Sequence, residues 1–182
     1  MSAECTPPEE LEELQERLVD EIRSAFADVR RIGDFTLQVV SWYDQHGRKE
    51  WVSDDEYAEL NQARAAEDKD WQELDDETIA ACGYGLGHLE PGNLRFYLPA
   101  FMIWTVKNFE DDPYSISALS TIGNLSPDTH DPEHIAWHYQ RIIIFNAEQK
   151  LAIVHFLEHI LARAEELNDP GHVRRISRAL SH

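Results

Sequence analysis

Apolar residues recur at three- and four-residue spacing along much of this chain. Leu11, Leu14, Leu18, Ile22, Ala25, Phe26 and Val29 trace one stripe, which predicts a first amphipathic helix with its acids turned outward. Ile153, Phe156, Leu157, Ile160, Leu161, Ala164 and Leu167 form another stripe within Ala147–Asn168. Ile135, Tyr139, Ile142 and Ile143 mark a third helix, and the unbroken apolar run Ile142–Phe145 predicts burial on more than one side. Weaker helical patterns cover Asp54–Ala66, Asp75–Ala81, Pro113–Ile122 and Pro170–Leu180.

Helix starts punctuate the same pattern. Thr6-Pro7 with Glu9 reads as a capping box with proline at the first helical position. Asp112-Pro113, Asp131-Pro132 and Asp169-Pro170 repeat the cap-then-proline device, while Ser53/Glu56 and Asn146/Gln149 have the spacing of further boxes. Phe96–Val106 is the longest apolar run, within the helical segment Leu94–Val106; Asn93 suits its cap, and Pro99 in its interior predicts a kinked central helix. The segment 35–52 breaks the pattern. Its β-branched and aromatic residues flank Asp44-Gln45-His46-Gly47, a sequence suited to a type I turn, so one short β-hairpin is admissible there. The fold class expected is therefore mainly α, a single compact multi-helix domain over 1–182, with residues 1–5 frayed and 64–77 mobile or solvated. The glycines of Cys82–Gly87 read as a flexible link, because no strand precedes them and no Lys follows.

Composition narrows the class. With 182 residues, 42% hydrophobic content and 5 Trp, the chain has enough apolar surface for a core without staples. Cys5 and Cys82 give neither a disulfide framework nor a zinc pattern, which fits a reducing, cytoplasmic setting. The acidic N-terminus lacks the basic start and apolar core of a signal peptide, and no apolar run is long enough to span a bilayer.

Charge then changes the picture. The net charge is −19, and residues 1–28 and 50–77 supply all but two of those units. Such a field disfavours nucleic acid as a partner and favours a basic protein. Asp54, Asp55, Glu56, Asp75, Asp76 and Glu77 are the partner-binding residues this reading selects. The one basic cluster, Arg174, Arg175 and Arg178 with His172 and His182, suits the C-terminus of a helix or an acidic face.

Chemistry is sparse. His134 and His138, four apart just inside a helix start, have the spacing of a two-histidine metal site, with Asp128, His130, Asp131 and Glu133 nearby. His155 and His159 share that spacing, but helical geometry turns them away from the apolar stripe toward a solvated face. The carboxylate pairs Asp54/Asp55, Asp75/Asp76 and Asp111/Asp112 lie in polar runs near helix starts, where they favour the dipole rather than acid–base work. No catalytic residue and no cofactor is expected.

The run Arg95–Ile103, RFYLPAFMI, resembles the arginine–aromatic–tyrosine–leucine–proline–alanine signature of a bacterial domain-of-unknown-function family of small, acidic, mainly helical proteins. Phe145–Leu157 and Asp70–Leu74 resemble the segments that accompany it, and Phe35–Val52 has no counterpart in it. The resemblance covers roughly Ser24 to Leu161 and implies a helical fold; it carries over no activity and no site residue. The function expected is a non-enzymatic protein-binding module, an immunity- or antitoxin-like binder of a basic partner. Two alternatives stand beside it: a metal- or small-molecule-dependent enzyme with a pocket near Pro99 and His134/His138, and a homo-oligomeric structural protein.

Overall fold

A helix that is apolar around its whole circumference has to be enclosed, and the run Leu94–Val106 forms such a helix. The computed structural model describes residues 8–32, 35–37, 39–40, 53–65, 69–126 and 131–181. Its helices in chain order are α1 (Pro8–Phe26), α2 (Asp54–Ala65), α3 (Asp76–Ala81), α4 (Pro91–Asn108), α5 (Ile116–Leu125), α6 (Pro132–Ile142), α7 (Ala147–Glu166) and α8 (Pro170–Leu180). Two 3-10 segments, Trp71–Glu73 and Gly83–His88, interrupt the connections. α4 lies at the centre, packed by α1, α3, α5, α6, α7 and both 3-10 segments. It buries residues on every side, among them Leu94, Phe96, Tyr97, Leu98, Phe101, Met102 and Val106. Pro99 sits within it and removes the N–H that would bond to the Arg95 carbonyl.

One hydrophobic core draws on elements from Leu18 in α1 to Ile176 in α8. α1 contributes Leu18, Ile22 and Phe26, but Leu14 of the same stripe is exposed. α7 contributes Ile153, Phe156, Leu157 and Ile160. Trp71, placed by composition in a mobile or solvated stretch, is fully buried instead. Its indole N–H donates to the Phe26 carbonyl at 3.1 Å, capping the end of α1.

Several helix starts follow their sequence signals. Asp131 accepts from the Glu133 N–H, and Asn146 and Gln149 form a complete capping box. At Ser53, the N–H and hydroxyl donate to the Glu56 carboxylate while the Glu56 N–H donates back to Ser53 Oγ. Thr6 and Pro7 lie outside the described residues. Two caps differ from expectation. α5 begins at Ser115 rather than Asp112, because Ser115 Oγ accepts from the Ala118 N–H. α4 begins after Glu90, and Asn93 is spent on tertiary structure, its amide donating to the Phe35 carbonyl at 3.0 Å.

The described residues of the expected hairpin do not form a strand. Leu37, Val39 and Val40 have helical backbone, with the Val40 N–H donating to the Thr36 carbonyl at 3.1 Å. Leu37, Val39 and Val40 are all buried, which strict strand alternation over one covered face would not allow. Residues 41–52, including the turn Asp44–Gly47, lie outside the described residues, and among the described residues there is no strand. The glycine-rich link is corrected too. Gly83–His88 is a packed 3-10 segment in which Gly83, Gly85 and Leu86 are buried. A Cβ on Gly83 would stand 2.7 Å from Ile116 Cγ2 and 2.9 Å from Ser117 Oγ, so glycine lets this segment lie directly against α5.

Candidate functional site

α6 departs most from its sequence pattern. Its expected apolar stripe is only partly covered: Ile142 packs against the core and Ile135 is half-buried, but Tyr139 and Ile143 are 59% and 74% exposed, and the fully buried residues of the helix are His138 and Arg141. Arg141, only 3% exposed, is held by neutral acceptors. Its Nη1 donates to Asn124 Oδ1 at 2.6 Å, and its Nη2 donates to the carbonyls of Leu86 at 2.9 Å and Leu89 at 3.3 Å. Its Nε, also buried, has no partner. The guanidinium stacks on the half-exposed Trp137, 4.4 Å from the ring centroid. Burial lowers its pKa to about 10, with Glu90 acting to raise it, so the group stays cationic at neutral pH.

Arg141 lines a cleft of about 460 Å³ with Gly87, His88, Leu89, Glu90, Pro91, Trp137 and Gln140. The packed Gly83–His88 segment and the α4 start supply one wall, and α6 supplies the other. The pieces come from positions some fifty residues apart, which spacing could not reveal. The local signal was available, however: a cation four residues after a tryptophan, abutting the apolar run Ile142–Phe145. Pro99 is buried in α4 and does not line this cleft.

The histidine pairs divide. His134 is exposed with its Nδ1 3.5 Å from Asp131, whereas His138 is buried and burial, reinforced by Arg141, lowers it to about 4. Asp128 and His130 lie outside the described residues, among which no three His, Cys, Asp or Glu side chains form a metal-holding group. His155 and His159 do not occupy a solvated face. α7 packs against α1 as well as α4, so His155 meets Glu21 at 2.8 Å and His159 is half-buried. Burial, aided by Arg163, lowers His159 to about 4, and its Nε2 has no partner.

Asp54, Asp55, Glu56, Asp75, Asp76 and Glu77 are all exposed. Asp54, Asp55 and Glu56 fill the first turn of α2, and Asp75 caps α3 by accepting from the Thr78 N–H, which lowers its carboxyl pKa. Glu56 is lowered likewise by its bonds from Ser53. In the basic cluster, Arg175 Nε donates to the Ser126 carbonyl at the end of α5, and His172 bonds to Asp169 at 2.6 Å. Elsewhere, Arg95 Nε donates to Gln149 Oε1 at 3.0 Å, and Gln149 in turn donates to the Ala25 carbonyl. This joins the RFYLPA run to the start of α7 and the end of α1.

These features define a mainly helical protein built around a buried central helix, with a buried arginine beside an open cleft and acids concentrated on exposed helix starts. The chain belongs to a family of unknown function, DUF6714, whose model matches residues 14–180. No curated protein and no solved structure gives a significant match. No helix among the described residues is long and apolar enough to cross a membrane.

Proposed function

We propose that the chain is a non-enzymatic, cytoplasmic protein-binding module, one domain over residues 1–182, which presents acidic helix starts to a basic partner in the manner of an immunity or antitoxin protein. One observation carries the reading. Glu9, Glu10, Glu12, Glu13 and Glu16 of α1, with Asp54, Asp55, Asp75, Asp76 and Glu77, are exposed and form no ion pair among the described residues. Unpaired surface charge of one sign raises association rates with a complementary surface, and at an interface rim it stays hydrated, so its desolvation costs little. The buried thiol of Cys82 fits a reducing compartment, and the Arg95–Ala100 run serves as the family's signature in this reading.

The test is retention of partners from the protein's own cell lysate, at low and at high salt. Wild-type protein is expected to hold a basic protein that high salt releases, and a variant carrying Asp54→Lys, Asp55→Lys, Asp76→Lys and Glu77→Lys is expected to lose it. Absence of any basic protein at low salt, or equal retention by the variant, would overturn the proposal.

A further inference from the structure

We infer that the cleft beside Arg141 binds a small organic monoanion, a carboxylate carried on a planar ring. The first argument is charge. Arg141 is buried and bonded only to neutral acceptors, the Asn124 amide and the Leu86 and Leu89 carbonyls; Glu90 acts on it from a distance, and no carboxylate reaches it within ion-pair distance among the described residues. A buried charge without a counter-ion is costly, and an anion entering the cleft recovers part of that cost.

The second argument is donor capacity. A guanidinium carries five N–H donors; three are engaged here, and Nε is among the unengaged. The third is shape. At about 460 Å³ the cleft falls in the range of small-ligand sites, and Trp137 offers a half-exposed ring on which a planar ligand can stack. Gln140 and His88 add polar groups to the wall. α4, 18 residues long, begins at the rim with Pro91, and the positive end of its dipole has the sign of Arg141.

Charge also limits the anion. One buried cation balances one negative charge. Glu90 on the same wall and the −19 of the whole chain oppose a multiply charged phosphate.

Calorimetric titration of the full chain with benzoate, its neutral counterpart benzamide, and inorganic phosphate tests the inference. Benzoate is expected to bind saturably at one site, with benzamide and phosphate weaker by about tenfold or more, the worth of one charge-assisted hydrogen bond. Glu90→Gln, at an exposed position, is expected to tighten benzoate severalfold, and Trp137→Ala to weaken it. Arg141→Gln is expected to abolish binding, with far-UV circular dichroism reporting whether that variant folds. Should it not fold, the benzamide comparison and Glu90→Gln decide. Equal binding of benzamide, tighter binding of phosphate, or no saturable benzoate binding to either wild type or Glu90→Gln would overturn the inference.

Discussion

In α7 the buried positions are largely apolar, Ile153, Phe156, Leu157 and Ile160, whereas in the helix before it they are His138 and Arg141. α7 is held by area removed from water. α6 adds to its Ile142 contact with the core the hydrogen bonds from one cation to an amide and two carbonyls, while Trp137, Tyr139 and the C-cap Ile143 stay exposed. A hydrophobic stripe foretells burial only where the neighbouring surface is also apolar. Where the neighbours present carbonyls, the long polar side chain goes in and the aromatic face is left out.

Phe156 gives the largest contrast. Its side chain has no exposure, so Phe156→Ala should remove transfer energy and leave a cavity, costing about 3–5 kcal/mol in urea denaturation. A loss below about 1 kcal/mol would mean that α7 does not anchor the core as its packing indicates.

Arg141→Met comes next, at about 2–4 kcal/mol. Methionine fills part of the volume, but Asn124 Oδ1 and the carbonyls of Leu86 and Leu89 lose their donor, and each unsatisfied buried acceptor costs about 1–3 kcal/mol, less where a second partner or water compensates. Stabilisation by this substitution would show instead that removing the desolvated charge outweighs the lost bonds, as happens in some buried ionic sites. The sign of the change therefore decides what α6 is for.

Sequence was sufficient where local rules and burial coincide. The stripes of α1 and α7, the caps at Asp131 and Asp169 and the Asn146/Gln149 box are visible because short-range geometry alone produces them. It failed where a distant partner chose the outcome. Leu37, Val39 and Val40 turn helically while the Leu37 N–H donates to the Tyr97 hydroxyl, and Gly83–His88 packs against α5 because Gly83 permits close approach. His155 looked solvated until α1 brought Glu21 to it. The cleft belongs to this second group. Its cation was in plain view at Arg141, but the wall that gives it a site comes from residues 87–91.

Each of the two helices also carries a buried histidine, and acid should act on them alike. Burial lowers His138 and His159 from 6.5 to about 4. In the unfolded chain each takes a proton near pH 6.5, so between 6.5 and 4 the unfolded state binds more protons. Their contribution is complete above 6.5 and is lost as pH falls through that window, by up to about 1.4 kcal/mol per pH unit for each histidine. Denaturation at pH 7.5 and pH 5 should therefore differ by about 2 kcal/mol per histidine. His138→Gln and His159→Gln should each remove about half of the pH 7.5 to pH 5 difference. Asp169 acts in a lower window. Burial alone would raise it, but bonds from Tyr114 and His172 outweigh that and hold it at about 2, so its contribution is complete above 3.8 and lost as pH falls through about 2.

The smallest effect is expected on the outer face of α6. Ile143 is 74% exposed, so Ile143→Lys buries no charge and opens no cavity, and its cost should stay within about 0.5 kcal/mol. Phe156→Lys, at the equivalent inward position of α7, should instead prevent folding, because the ammonium would have no partner in an apolar core. Urea denaturation of Ile143→Lys at two protein concentrations checks the contrast. A loss above about 1 kcal/mol that grows with concentration would show that a second molecule covers this face in solution, and that α6, like α7, is buried on its apolar side after all.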